Sequence, residues 1–167
     1  MKWNSIECEH FDFLFRHNRV YNNLIMSRFD VTVKKECDVC KVMVETCMHE
    51  FFECGELKVY FERLKGLIDK CWGDRILKTM VWKELWLFGV SGGVKGPKVN
   101  LCNYVLSHAR YAVKLRRDLA HFGNRKVDVW DLFKKEKDAF LENFVDGCTL
   151  VEVGDNDRLV FKYDSVG

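Results

Sequence analysis

The stretch CDVCKVMVETCMHEFFEC, residues 37–54, gathers four of the eight cysteines and one of the five histidines into eighteen positions. Its spacing is Cys37-x2-Cys40-x8-His49-x4-Cys54. A C-x2-C pair lets two thiolates converge from one tight turn, and a histidine and a cysteine further on close the tetrahedron that Zn²⁺ prefers. Three thiolates and a neutral imidazole would carry about −1 with the ion bound, and Lys34, Lys35 and Lys41 stand nearby in sequence to offset it. Cys47 is the one internal competitor for the third position. It lies two residues from His49 on a helical stretch, on the opposing side, so one of the two reaches the metal; His49 is the expected ligand.

The same stretch excludes several chemistries. HEFFE begins like the zinc-protease H-E-x-x-H, but Glu53 occupies the second histidine's place. The deaminase H-x-E pattern fails at Phe51. No βαβ pattern surrounds the C-x2-C pair, which argues against a thioredoxin-like redox site. Four protein ligands leave no position for a reactive water, so the metal is expected to be structural and the chain not an enzyme. GVSGGVKGPK lacks the G-K-[ST] ending of a phosphate loop and the strand before it.

The start of the chain carries Glu7, Glu9 and Asp12 before any apolar run, unlike a signal peptide. No stretch is long and apolar enough for a bilayer span, so no membrane partner is expected. An intracellular, reducing compartment follows as the expectation, and there clustered cysteines favour metal over disulfides.

Hydrophobic periodicity points to a mainly α fold. Phe11, Leu14, Phe15, Tyr21, Leu24, Ile25 and Phe29 recur at helical spacing with a break near Asn18. Leu57, Tyr60, Phe61, Leu64, Leu67, Ile68 and Cys71 mark one face of a helix over 56–71. Residues 74–88 are apolar nearly all round, which predicts the central helix, ending at Gly89. A helix over 99–121 and another over 128–145 follow, the latter with Asp128 as N-cap and Gly147 as stop. TLVEVGDNDRLVFKY alternates, turns and alternates again, predicting a short C-terminal β-hairpin. The expected organisation is 1–72, a helical segment with the zinc knuckle, and 73–167, a helical segment with a basic helix and the hairpin, packed as one unit. At 167 residues and 48% hydrophobic content the chain is long and apolar enough to bury a core.

Cys37, Cys40, Glu45, Thr46, His49, Phe51, Phe52 and Cys54 together form a C-x2-C…ET..HxFFxC phrase. It resembles the zinc-binding region near the C-terminus of LINE-type (non-LTR) retrotransposon reverse transcriptases, and the preceding HNRVYNNLIMSRFDV resembles that family's basic lead-in. The likeness covers residues 17–54 and, more loosely, the helices beyond. It implies a role in gripping RNA or target DNA during target-primed reverse transcription. No Y-x-D-D or F-A-D-D polymerase signature and no endonuclease domain is present, so the chain is expected to be a detached C-terminal fragment or a decayed copy.

Charge is segregated although the net is only +2. Residues 101–126 hold six Lys or Arg against one acid, leaving 21 basic and 24 acidic residues elsewhere, a balance of −3. Arg110, Lys114, Arg117 and His121 step by four, three and four along one helix face, away from the Leu101, Val105, Ala112 and Leu115 stripe; Arg116 is adjacent in sequence but points off that face. This predicts an exposed stripe that contacts nucleic-acid backbone, extended by Arg16 and Arg19. The competing expectation is a zinc-stapled module that binds protein, such as the polymerase portion of its own polyprotein, through apolar surface around Trp82, Trp86 and Phe88.

Overall fold

The computed structural model describes residues 6–72, 79–90, 97–142, 150–153 and 159–161. Its helices are α1 (Ile6–Arg16), the single turn α2 (Asn23–Met26), α3 (Lys58–Trp72), α4 (Trp82–Phe88), α5 (Pro97–Gly123) and α6 (Val129–Glu142). A π turn at His49–Glu53 and a 3-10 turn at Gly55–Leu57 lead into α3. The fold is mainly helical, with the cysteine cluster between α2 and α3. Leu150–Val153 and Leu159–Phe161 run antiparallel as two short strands. The GDND turn of the expected hairpin lies outside the described residues, as does Gly147.

Local signals set several boundaries. Asn18 adopts φ 52° just beyond α1, where the helical spacing breaks. Asn22 caps α2, its side-chain oxygen accepting the Ile25 N–H at 3.0 Å. Asp128 caps α6 by accepting the Trp130 and Asp131 N–H groups at 2.9 and 3.3 Å. Gly89 follows α4 at φ 76°, and a Cβ there would lie 2.4 Å from the Asn103 side-chain oxygen. That oxygen accepts the Val90 N–H at 2.6 Å, so the glycine lets the chain close on α5.

The central element is α5, not residues 74–88. At 27 residues it is about 40 Å long, and α1, the π turn and α6 pack against it. Between 102 and 113 it is buried on nearly every side, by Cys102, Tyr104, Val105, Leu106, Ala109, Ala112 and Val113, and also by Ser107, His108 and Arg110. The expected helix over 74–88 is interrupted within its described part: Val81 is extended, at φ −67° and ψ 131°, and α4 has only seven residues. Leu85 and Trp86 are fully buried, whereas Phe88 faces outward. An all-apolar run reads as a buried helix, but a helix of about two turns here buries only one side.

One core cluster runs from Phe11 through the cysteine region and α3 to Phe133. Tyr60 stands at its centre, with Trp86, Trp130 and Phe133 rings 6.1–6.3 Å away in edge-on arrangements. Its hydroxyl donates to the Ala109 carbonyl at 2.8 Å, so the polar tip of a fully enclosed side chain is satisfied. Phe51 joins the cysteine region to this core, packing on Phe11 and Phe15. The Trp86 indole donates to the Phe51 carbonyl at 2.6 Å.

Candidate metal centre

Two local turns aim the four ligands. In the first, Glu36 and Val44 pair as an isolated antiparallel bridge. Inside it the Cys37 N–H donates to the Met43 carbonyl at 2.8 Å, and the Lys41 N–H donates to the Cys37 carbonyl at 2.9 Å. Lys41 takes φ 62° to close this turn, which leaves Cys37 and Cys40 on one side. In the second, the Thr46 hydroxyl accepts the His49 N–H at 3.0 Å and starts the helical turn. The Cys54 N–H then returns to the His49 carbonyl at 2.9 Å, a π-type bond across five residues. On an α-helix, residues five apart point about 140° from each other. The wider π winding reduces that angle and brings His49 and Cys54 toward a common point, a use of π turns seen often at functional sites.

The result is a cluster in which one ligand atom from each of Cys37, Cys40, His49 and Cys54 lies within 4.8 Å of all the others. Cys40 Sγ and His49 Nε2 are 3.3 Å apart. A tetrahedral ion with bonds of about 2.0–2.3 Å separates its ligands by about 3.5–3.8 Å, which this cluster spans. No disulfide joins these cysteines. Cys47 stands apart from the cluster, which takes His49 in its place. Burial, with Glu50 nearby, pushes the Cys47 thiol up to about 11, so it remains protonated.

Electrostatics favour the ligand form at His49 and Cys54 and oppose it at Cys37. Burial holds the His49 imidazole below its usual range, partly opposed by Glu45 and Glu53, which leaves the ring neutral. Cys37 and Cys54 share a hydrogen bond that, with burial, raises Cys37. The same bond lowers Cys54, helped by the Glu56 backbone and the positive charge of Arg116. Of the lysines expected to balance the site, Lys41 is turned toward Asp38 at 3.6 Å. The charge that acts on Cys54 and His49 comes instead from Arg116, a residue sixty-two positions beyond the last ligand in sequence.

The expected basic stripe is an internal ladder. Arg117 is 2% exposed and donates to Glu45 at 3.0 Å, to Asn23 Oδ1 at 2.7 Å and to Asp118 at 3.3 Å. Glu45, with no exposure at all, also accepts the Asn23 N–H at 2.9 Å. Asn23 reaches on to the Glu36 carbonyl and to Asp38, and Asp38 meets His121 Nδ1 at 2.6 Å. Arg110, likewise buried, donates to Asp12 at 3.1 Å and to the Trp86 carbonyl at 2.7 Å. Lys114 pairs with Asp118, and Arg116 is buried as well. The face assignment is therefore corrected: Arg110, Arg117 and His121 join α5 to α1, α4 and the metal knuckle. The physical reason is that α5 lies in the middle of the bundle, so it has no fully solvated face along 102–117.

Arg16 and Arg19 are exposed, the first paired with Asp12 at 2.7 Å. Asp12, Asn23 and Asp38, the partners that make the ladder, carry no periodic signal in the sequence. Glu45 stood in the motif phrase, yet its burial under Arg117 has no local signature. Neighbouring Glu50 is buried beside it without a hydrogen-bond partner on either oxygen among the described residues. Burial and the Glu45 charge push its carboxyl up to about 8.

Fold and site together define a helical protein whose Cys₃His cluster, able to hold a metal ion, is riveted by buried ion pairs to a central helix. No family model, no curated protein and no solved structure matches the chain. Among the described residues no helix is long and apolar enough to cross a membrane.

Proposed function

We propose that the chain is a zinc-stapled, non-catalytic module that holds nucleic-acid backbone for a reverse transcriptase of the LINE type. The observation that carries the zinc reading is the convergence of Cys37, Cys40, His49 and Cys54. Three soft thiolates with one imidazole in tetrahedral reach select Zn²⁺ over the harder divalent ions. The complete protein ligand set leaves no open position, which supports a structural rather than catalytic metal. The phrase residues shared with the LINE-type zinc region each have a task here. Thr46 orients His49, Glu45 receives Arg117, and Phe51 ties the knuckle to the core.

With Arg110 and Arg117 inside, a backbone contact would rest on cations around the knuckle. Arg19, Arg28, Lys34, Lys35 and Lys41 are all exposed there. One observation favours a second reading, docking to the parent polymerase: Phe29, Val31 and Val42 on the same region are 82%, 97% and 75% exposed. A salt series separates the two, because phosphate contacts weaken steeply with salt and an apolar interface does not. The test is metal content of the purified chain, with binding to single- and double-stranded oligonucleotides before and after chelation. About one zinc per chain and binding lost on chelation are expected. Metal-free protein that is fully folded would overturn the zinc reading.

A further inference from the structure

The connection from α5 to α6 brings the chain back to the metal knuckle. A cleft of about 380 Å³ lies between them, with Asp38 and Lys41 on the knuckle side, Arg116 on α5, and Asn124, Arg125 and Lys126 in the connection. Four cations from three separate segments thus share one wall system.

Arg116 is the informative one. It is 5% exposed, yet among the described residues no carboxylate pairs with it, and its Nε has no hydrogen-bond partner. Arg110 and Arg117, buried to the same degree, each hold a carboxylate. The buried Nε is a donor withdrawn from water without an acceptor, which is costly, and an anion in the cleft beside this guanidinium would supply one. Its charge reaches Cys54 and His49 through space, but it makes no hydrogen bond to either.

The acids on the cleft do not fill that position. Asp38 is engaged by Asn23, His121 and Lys41. Asp128 is engaged by the N–H groups of α6. Glu56 also lines the cleft and is exposed. Lys41, Arg125 and Lys126 are exposed as well. Among the described residues the walls include no aromatic ring on which a base could stack.

We propose that this cleft is a phosphate site taking one phosphodiester of a nucleic-acid backbone, with Arg116 at its floor and Lys41, Arg125 and Lys126 around it. The guanidinium fork matches two phosphate oxygens, and the lysines act as point charges. Contact is to backbone alone, so binding is indifferent to sequence. This inference rests on the nucleic-acid reading above and gives it a location.

The test uses the zinc-loaded full chain and a labelled single-stranded homopolymer, followed by fluorescence anisotropy over a salt series. Arg125→Ala with Lys126→Ala changes two exposed residues away from the metal, and Arg116→Gln removes the floor. Zinc content is measured for each. The double variant is expected to flatten the slope of log affinity against log salt by about 1.4, two contacts at about 0.7 each. Arg116→Gln, compared at saturating zinc because its charge also acts on Cys54 and His49, is expected to weaken binding. If the oligonucleotide binds and the double variant leaves affinity and slope unchanged, the cleft is not the site, while the nucleic-acid reading stands. Absence of any binding by the wild-type chain overturns both. Inorganic phosphate binding as tightly as the oligonucleotide would make this a free-anion site and overturn the backbone assignment.

Discussion

Replacing Arg117 by Met is the most demanding test of the buried ladder. The substitution keeps an unbranched side chain of similar length but deletes the guanidinium that bonds Glu45, Asn23 and Asp118. Glu45 is then a fully buried carboxylate whose remaining bond among the described residues is to the Asn23 N–H, and its second oxygen already has no partner among them. Glu50 also loses a cation that opposes the rise of its pKa. Removing one member of a buried pair costs about 3–5 kcal/mol. Against a typical total of about 5–15 kcal/mol that is a large share of the stability. The partner experiment is Glu45→Leu combined with Arg117→Met. With both charges gone no uncompensated ion remains, and such double replacements are often neutral or better. The double variant is therefore expected within about 1–2 kcal/mol of wild type and clearly above the single. Urea denaturation in zinc-saturated buffer, followed by the fluorescence of buried Trp86 and Trp130, reads all three proteins. An exposed arginine would cost less than about 0.5 kcal/mol. A loss that small for Arg117→Met, with no gain in the double variant, would refute the burial argument.

Three further expectations follow from the same geometry. Cys47→Ala should leave metal content unchanged and His49→Ala should reduce it, as read by metal analysis; the reverse would make the cluster a four-cysteine site. Phe51→Ala, at the junction of knuckle and core, should cost about 3–5 kcal/mol in the same denaturation assay, and a loss below about 1 kcal/mol would mean the knuckle holds on without it. His108 gives a pH dependence: burial lowers its pKa from 6.5 to about 4, so the folded chain resists a proton that the unfolded chain accepts. That contribution is intact above pH 6.5 and is lost as pH falls toward 4, reaching about 3 kcal/mol at about 1.4 kcal/mol per unit. Wild type should therefore lose about that much more stability than His108→Gln between pH 7 and 4. Metal loss at low pH affects both proteins, so parallel profiles would refute the assignment.

The candidate metal cluster was legible because its information is local. A C-x2-C turn and an H-x4-C helix entry bring four possible ligands together within eighteen residues. The helices were legible for the same reason: period, the break at Asn18 and the cap at Asp128 act over one or two turns. Sequence also ranked His49 above Cys47, since two residues apart on a helix cannot face one point. The π winding that lets His49 and Cys54 converge was not legible, because it is one hydrogen bond displaced by a single residue.

Only the tertiary structure decided which faces are inside. Arg110 and Arg117 occupy a helix face that reads as solvated, because a local pattern counts charges and does not see a partner ninety-eight or seventy-two residues away. Asp12 and Glu45 are those partners, and pairing removes the penalty that would otherwise keep guanidinium out of a core. The same limit moved the central position from residues 74–88 to α5. Hydrophobicity along the chain measures the tendency to be buried, while the number of neighbours that can surround a helix depends on its length and on what the fold brings against it. Arg116 shows the distinction within one residue: its charge was plain in the sequence, but its lack of a carboxylate partner among the described residues, its influence on the cysteine cluster and its place in a cleft exist only once the chain has closed.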